Sequence, residues 1–571
     1  MENAQVAGIL DEIADLIALD DGNEYRVRSY RDAARTVHDL SQRLEDLAES
    51  GQELSELPNI GEATAEKIHE ILETGTCGRL EEMRAKVPPK LIELLRVPQL
   101  GPQTVMQLHR DLGIESPEEL RAACEEGLVR ELEGMGEKTE EKILRGLDTL
   151  GSREARMLLR DAGDRVEGIG RHLDPVEAIE RWEVAGSFRR RKETVGDLDI
   201  LIQAEDRDQA TDAILELRDL DEVLGRGEEK VSVKMSDGLQ VDFRFFDKKS
   251  FGSAMLYFTG SKAHGIKLRK LAGERTWKLN EYGLFKGENL LAGSSEEAIY
   301  HRLNLQWISP ELREDRGEIE AAREDNLPDL VELSQIRGDL QSHTNATDGS
   351  SSIRDMAEAA VTHGYEYFAI TDHSKRVTMA KGLDDDGTRN HAEEIRQVDG
   401  ELDSLWLMAG IEVDILRDGS LDLREKTLEE LDWVVASTHY DLDMGEEAMT
   451  ERLLSAVRSG VVHCLAHPTM RVLGKRTPIS FDAHRVFEAC AEQGVFLEVN
   501  AQPDRLDLPD FFCKQALQAG VKFVISTDAH KPSDLDFMNL GVDVARRGWL
   551  KRTDVANTLT AKEFRRVLGR E

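Results

Sequence analysis

The run Gly186-Ser187-Phe188-Arg189-Arg190-Arg191-Lys192-Glu193-Thr194-Val195-Gly196-Asp197-Leu198-Asp199-Ile200-Leu201 decides how the middle of this chain is read. Asp197 and Asp199 are two residues apart among the β-prone apolar residues Leu198, Ile200 and Leu201. A strand therefore puts both carboxylates on one face. Two like charges in that setting are costly unless a cation sits between them. A third carboxylate is available at Asp242, in the second β-rich run Val241-Asp242-Phe243-Arg244-Phe245. Ligation by oxygen alone suits Mg2+ or Mn2+. Three carboxylates and two such ions can clamp the attacking and leaving oxygens of a phosphoryl transfer. Ser187, Arg189 and Arg190 are candidates to hold a triphosphate.

Outward from that run, short β-rich stretches cover Trp182–Ala185, Leu198–Gln203, Lys230–Met235 and Gln240–Phe246, with a helix expected over 207–219. Residues 251–315 mix helix and strand. The stretch Ser309–Pro328 is charged and bounded by prolines, which reads as a linker. From Gly338 onward, strand-like runs alternate with helical ones at Tyr367–Thr371, Leu405–Gly410, Trp433–Ala436, Val462–Ala466, Val495–Val499 and Lys522–Ser526. That rhythm predicts an α/β domain with a parallel sheet or barrel.

Towards the N-terminus, residues 1–50 read as amphipathic helices, with Ile9, Ile13, Leu16 and Ile17 on one apolar face and Ala34, Val37, Leu40 and Leu44 on another. A repeat follows. Leu57-Pro-Asn-Ile60-Gly61 precedes Thr64 and Ile68, Val97-Pro-Gln-Leu100-Gly101 precedes Thr104 and Leu108, and Leu132-Glu-Gly-Met135-Gly136 precedes Thr139 and Ile143. Each copy predicts a helix, a tight turn in which Gly permits positive φ, and a second helix whose first N–H groups face outward. Such an element grips a nucleic-acid backbone without reading its sequence. It resembles the helix-hairpin-helix family, which makes Gly61, Gly101 and Gly136 the expected DNA-binding positions.

The chain has 571 residues, with 74 Lys+Arg against 112 Asp+Glu, a formal net charge of −38 and 40% hydrophobic residues. Real cores are therefore expected, and wholesale disorder is not. No apolar run approaches the ~20 residues of a membrane span, and Met1-Glu2-Asn3 does not open a signal sequence, so a cytoplasmic protein with no membrane contact is expected. The five cysteines are scattered with no CxxC pair, which fits a reducing compartment and excludes a thiolate zinc module. An acidic excess spread along a chain that carries phosphate-binding motifs points to a halophile's saline cytosol, where the repulsion between protein and nucleic acid is screened.

A second constellation lies at or just after the expected strand ends of the C-terminal domain: Asp339 and His343, Asp372 and His373, Glu412, His439, His467, Asp528 and His530. In α/β folds the C-terminal strand edge is where sites gather. Mixed imidazole and carboxylate donors suit Zn2+, Mn2+ or iron better than Mg2+.

Two resemblances cover the whole chain. Gly186-Ser187-Phe188-Arg189-Arg190, Gly196-Asp197-Leu198-Asp199 and Tyr257-Phe258-Thr259-Gly260-Ser261 resemble, in order, the motifs of a family X DNA polymerase over roughly residues 1–315. The resemblance implies Asp197, Asp199 and Asp242 as catalytic metal ligands, with Ser187, Arg190 and Gly196 at the triphosphate. It implies Tyr257 and Phe258 beside the nucleotide sugar, Gly260 as a further nucleotide-binding position, and Arg269 near the templating strand. Lys67 falls on the family's lyase Schiff-base position, although Asp32 and Ala63 replace two basic phosphate-pocket residues. The C-terminal set resembles the PHP (polymerase and histidinol phosphatase) domain over about 336–571, a distorted seven-stranded β/α barrel holding up to three metals. That resemblance implies His343, Asp348, His373, Glu412, His439, His467, Asp528 and His530 as ligands, with Glu412 bridging two metals. Gln341 stands where many PHP domains carry a histidine, which would leave one metal weakly held or recruit Asp339. Asp348 stands where some members carry a histidine.

The expected fold is thus multidomain α+β and α/β. It comprises an N-terminal helical DNA-end-binding domain (1–85), a domain with the second and third hairpins (86–150) and a nucleotidyltransferase palm with a mixed sheet (151–250). A nucleotide- and template-binding subdomain (251–315), a linker (316–335) and a PHP (β/α)7-like barrel (336–571) follow. The implied protein is a monomeric repair polymerase of the PHP-bearing bacterial and archaeal branch. It would fill short gaps in gapped or nicked DNA from dNTPs, with Mg2+ or Mn2+ at the palm. The PHP site, holding Mn2+, Zn2+ or Fe2+, would add 3′→5′ exonuclease and abasic-site endonuclease or 3′-phosphatase activity. The alternative is a metal-dependent DNA 3′-end phosphoesterase whose polymerase half serves as a scaffold.

Overall fold

The computed structural model describes residues 3–20, 23–40, 44–49, 53–57, 59–95, 97, 100–132, 134–153 and 156–569. The chain forms two compact units, Met1–Arg156 and Met157–Glu571.

The first unit is helical. Asn3–Asp20 and Glu24–Asp39 pack together and bury Ile13, Leu16, Ile17, Ala34 and Val37, while Ile9 and Leu40 sit at the rim. The hairpin glycines begin helices: Gly61 precedes Glu62–Thr74, Gly101 precedes Pro102–Leu112 and Gly136 precedes Glu137–Arg153. The turn geometry differs from the expectation. Gly61 and Gly101 have φ of −87° and −84°, and the left-handed residues lie two positions earlier, at Asn59 (φ 64°) and Gly134 (φ 81°). Turn residues Pro58, Pro98, Gln99 and Glu133 lie outside the described residues. A Cβ at Gly61, Gly101 or Gly136 would meet no atom within 4 Å, so the start of each of these helices is open.

The second unit opens with a five-stranded mixed sheet, ordered Ile179–Val184, Asp197–Ala204, Gln240–Phe245, Lys230–Met235 and Leu220–Arg226. Sequence reading missed the last of these, an edge strand whose alternation is broken by two register shifts. Helices Leu159–Leu173 and Arg207–Leu215 contribute Leu159, Ala162, Ile169, Leu173 and Ile214 to the core on one face of the sheet. Helices Phe251–Thr259, Lys262–Glu274 and Glu296–Arg302 follow, with a small antiparallel sheet of Lys278–Asn280, Gly283–Lys286 and Asn289–Ala292.

The segment read as a linker is packed. Ile319, Ala322, Leu330 and Val331 are buried within it, and helix Glu318–Arg323 begins at a Glu318 carboxylate that His264 Nδ1 meets at 2.6 Å. Its charges misled the sequence reading because they find buried partners. Arg313 donates to both carboxylate oxygens of Glu296 at 2.6 and 3.1 Å, and Arg189 grips the same carboxylate at 2.8 and 2.9 Å.

Seven parallel strands then form a barrel in sequence order: Gly338–Asp339, Tyr367–Ile370, Trp406–Asp414, Trp433–Ser437, Cys464–Leu465, Phe496–Asn500 and Phe523–Ser526. A bridge between Ser342 and Ala529 brings the last strand back to the first and nearly closes it. Alternate residues separate cleanly. Leu340, Ala369, Met408, Val435, Ala466 and Val524 fill the interior, while Phe368, Leu407, Val434, Leu465, Val499 and Ile525 join the outer core under the helices. Phe564 of the final helix, Ala561–Val567, stacks on Tyr367 at 4.9 Å and joins that interior cluster. All five cysteines are buried thiols. Among the described residues, no helix is long and apolar enough to cross a membrane.

Burial works against the Glu296 carboxyl, but Arg313 and Arg189 hold it down to about 2. A carboxyl depressed in the folded state stabilises the fold above its unfolded value of 4.5, and that contribution is lost as pH falls through about 2. Glu296→Gln strands the buried Arg313 guanidinium and the half-buried Arg189 one, and is expected to destabilise the second unit by about 3 kcal/mol at neutral pH. The gap from wild type should close between pH 4.5 and about 2. Thermal unfolding across that range checks both the size and the sign.

Candidate functional site

Two acidic clusters stand in the second unit. In the palm, strands Asp197–Ala204 and Gln240–Phe245 run parallel with Asp199 directly opposite Asp242. Asp197 shares the Asp199 face, because it lies two residues earlier on the same strand. The turn at Gly186 closes over them. Gly186 has φ 63°, which disfavours a side chain, and a Cβ there would lie only 3.3 Å from Asp199 Oδ2. Cations already lie on the carboxylates. Arg244 Nε reaches Asp199 at 3.2 Å, Arg244 Nη2 reaches Asp242 at 3.1 Å, and Lys230 Nζ reaches Asp242 at 2.6 Å. Burial pushes the Asp199 carboxyl up, and Asp197 and Asp242 add to this against Arg244. For Asp242 burial acts the same way, but hydrogen bonds from Lys230, Ser232 and Gln240 hold it below the usual range. This is a donor set of hard oxygens, crowded with negative charge, and it fits divalent cations.

The other polymerase-motif residues converge here. The Arg244 guanidinium lies 4.5 Å over the Phe258 ring, Phe258 meets Tyr257 edge-on at 5.0 Å, and Arg269 lies 5.8 Å from the Tyr257 ring. Arg189 donates to Thr259 Oγ1 and Arg190 Nη1 to the Thr259 carbonyl, both at 2.7 Å. Ser187 lies in the short helix Gly186–Arg189, and Gly196 immediately precedes the Asp197 strand. At Gly260 a Cβ would come within 3.0 Å of the His264 ring. Sequence reading missed Arg244, Lys230 and Gln240. The signal for Arg244 was present, since it lies two residues beyond Asp242 and shares its face.

At the C-terminal edge of the barrel, Glu412 is the centre of the second cluster. Its carboxylate lies 3.1 Å from His373 Nδ1, 3.5 Å from His343 Nε2, 3.4 Å from His439 Nε2 and 2.9 Å from His467 Nε2. Asp348 lies 3.2 Å from His373, 3.5 Å from His530 and 3.7 Å from His343, and His343 Nε2 lies 2.9 Å from Asp528. The His343 ring is stacked between His373 and His530 at 4.5 and 4.4 Å. Among the described residues, two groups have geometry for an ion, His343–Asp348–His373–His530 and His373–Glu412–His439, and His373 belongs to both. Both His343 nitrogens, His373 Nδ1 and Glu412 Oε2 are buried with no hydrogen-bond partner. Against burial, Glu412 and Asp348 push the His373 imidazole up to about 9. Against burial, the surrounding imidazoles hold Asp348, Glu412 and Asp528 well below the usual carboxylate range. The cluster thus demands positive charge, and its donors fit divalent metals.

Two acids singled out at strand ends point elsewhere. Asp339 accepts from the Thr527 backbone and hydroxyl, and burial pushes it up to about 7. It lies in neither metal-competent group. Asp372 accepts from Thr344 N at 2.8 Å, from the Thr344 and Thr347 hydroxyls and from His391 Nε2 at 2.7 Å, and so orders the loop that carries Asp348. Gln341 is buried with its amide unpartnered. Sequence reading missed the outer supports. Asp414 receives His439 N and Nδ1 at 2.9 and 3.1 Å, and Glu498 receives His467 N at 2.8 Å. In the first unit, Lys67 Nζ donates to the Ala63 carbonyl at 2.6 Å, and Asp32 lies 3.6 Å from both Arg28 and Arg35.

Over its full length the chain is 36% identical to the DNA polymerase/3′-5′ exonuclease PolX of Bacillus subtilis, covering 100% of both chains. It belongs to the family X DNA polymerases with a C-terminal PHP domain. Family descriptions match part by part: Helix-hairpin-helix domain over 1–77, SAM-like Helix-hairpin-helix tandem over 91–149, DNA polymerase beta palm over 160–254, DNA polymerase beta thumb over 254–314 and PHP domain over 339–502. DNA polymerase lambda of Arabidopsis thaliana is 24% identical over 327 residues, 51% of this chain and 58% of that one. A protein of Acetivibrio thermocellus named "Probable phosphatase" is 28% identical over 202 residues, 34% of this chain and 78% of that one.

Because His373 serves both metal-competent groups, His373→Ala should remove more bound metal than the single-group variant His530→Ala. Metal content of the purified proteins by mass spectrometry checks this, and equal losses would break the shared-ligand arrangement.

Proposed function

We propose that this family X polymerase fills short gaps in DNA from dNTPs at the palm and trims 3′ ends at the barrel. The observation that carries the polymerase half is the register that sets Asp199 against Asp242 with Asp197 on the same face. Divalent metal bound there would neutralise the triphosphate and activate the primer hydroxyl. Around it, Arg190 and Ser187 orient the triphosphate, and Arg244 keeps Asp199 and Asp242 ionised and fixed. Tyr257 and Phe258 wall the sugar side, Arg269 steadies Tyr257 beside the template, and Gly61, Gly101 and Gly136 offer backbone N–H groups to phosphates. The likeness to a protein named polymerase/exonuclease supports this pairing of activities.

The barrel half rests on Glu412, which faces four imidazoles from four different strand ends or loops. His343, Asp348, His373, Glu412, His439, His467, Asp528 and His530 would hold Mn2+, Zn2+ or Fe2+, with Glu412 shared between ions. The reaction class is phosphodiester hydrolysis at a 3′ terminus, extending to abasic-site or 3′-phosphate cleavage. We place the protein in the cytoplasm as a monomer. Its backbone-directed hairpins and acidic surface suit DNA binding that survives molar KCl, since few lysine–phosphate pairs give a shallow salt dependence.

The test is a 5′-labelled primer on a one-nucleotide-gapped duplex in concentrated KCl with Mn2+, with and without dNTPs. Wild type should lengthen the primer with dNTPs and shorten it without them. Asp199→Ala should lower extension by at least about 100-fold while resection persists, and His439→Ala should do the reverse. Shortening in both wild-type lanes would make the barrel the principal site and the palm a scaffold. Loss of both activities in either folded variant would overturn the two-site scheme.

A further inference from the structure

The loop that carries Arg190 is held by the barrel. Arg547, on helix Met538–Arg547, is buried, and its Nη1 donates to the backbone carbonyl of Arg190 at 2.6 Å and to Glu314 at 3.2 Å. Its Nη2 donates to Asp510 at 2.5 Å, and Asp510 also meets Arg316 at 3.2 Å. Glu314 in turn receives Arg190 Nε at 3.0 Å and lies 4.0 Å from Lys192. Neighbouring pairs brace the same loop, with Arg471 donating to Glu193 at 3.2 Å and Arg191 lying 3.7 Å from Asp543.

The consequence for Arg190 is specific. Its Nε is taken by Glu314 and its Nη1 by the Thr259 carbonyl. Nη2 has no hydrogen-bond partner among the described residues, so the pinned guanidinium keeps one free nitrogen to offer a ligand. The Thr259 link ties that nitrogen to the Tyr257–Gly260 segment beside the sugar. Burial works against the Glu314 carboxyl, yet Arg547, Lys192 and Arg190 hold it down to about 2, so it is ionised at any working pH. A guanidinium carries its recognition in a rigid fork, and holding two of its nitrogens fixes where the third points.

We propose that Arg547 of the barrel and Glu314 are positioning residues for the polymerase site, fixing the Arg190 guanidinium and its loop in the orientation that receives the dNTP triphosphate. This rests on the reading of Arg190 as a triphosphate contact. The barrel then serves polymerisation as well as hydrolysis, without either residue touching substrate. Because the Arg547–Asp510 pair is buried and the Arg190–Glu314 pair nearly so, dissolved salt screens them weakly.

The full-length protein is assayed for single-nucleotide insertion opposite a gap, separating KM for dNTP from kcat, with exonuclease activity measured on the same preparations. Glu314→Gln and Arg547→Gln are expected to raise KM for dNTP about tenfold and to leave kcat within about twofold, with exonuclease activity retained. Arg547→Lys, which keeps the charge, should recover part of the KM. Adding Glu314→Gln to Arg190→Ala should change nothing further, because the positioned group is gone. An unchanged KM in Glu314→Gln and Arg547→Gln, beside a raised KM in Arg190→Ala, overturns the proposal alone. An unchanged KM in Arg190→Ala overturns the triphosphate reading and the proposal with it. Should Arg547→Gln fail to fold, Glu314→Gln, nearly isosteric and away from the barrel core, decides.

Discussion

A carboxylate kept ionised away from water needs positive charge nearby, and three clusters of the second unit are built on that need. In the palm, Asp199 and Asp242 are pressed together by strand register, and Arg244 and Lys230 partly neutralise them. In the barrel, Glu412 is surrounded by imidazoles, and both His343 nitrogens and His373 Nδ1 are buried without a hydrogen-bond partner among the described residues. Where palm, thumb and barrel meet, Glu296, Glu314 and Asp510 are each clamped by arginines. The first two clusters are left short of cations, and there metal chemistry becomes available. The third is saturated, and there the charges hold the architecture.

That contrast accounts for the layout of the molecule. The arginine-clamped carboxylates tie the loop bearing Arg190 to the segment around Thr259 and to the barrel. In the barrel, interior apolar residues fill the core and the final helix adds Phe564 to it, which leaves the C-terminal strand edge as the place where polar groups gather. Support continues outward through Asp414 behind His439, Glu498 behind His467 and Asp372 behind the Asp348 loop. These contacts hold the imidazole rings and the Asp348 loop in place.

Much of this was legible in the chain. Lys230–Met235 is the expected strand to the residue, and most barrel strands lie within one or two residues of their apolar runs. Ligand candidates were recognisable because they recur just beyond successive strands. Three kinds of feature escaped. The edge strand Leu220–Arg226 has broken alternation, so its period carries no signal. The stretch around Glu318 looked like a linker because charge counts as exposure in a sequence, whereas here the charges are buried against partners. In the hairpins, positive φ belongs to Asn59 and Gly134, because the turn places its left-handed residue two positions before the helix rather than at the glycine that starts it.

The sequence by itself determined the chemistry on offer: which carboxylates alternate onto one face, which imidazoles follow strand ends, and where a Gly turn precedes a helix. These follow from local periodicity and residue type, which need no knowledge of distant partners. Only the tertiary structure decided that Asp199 faces Asp242, that Glu412 is the shared centre, that Asp339 and Asp372 turn away from it, and that Arg547 reaches the Arg190 loop. Arg190 and Arg547 are separated by 357 residues. Pairing across such distances is set by how sheets, helices and buried charges pack together, and no local pattern in the chain encodes it.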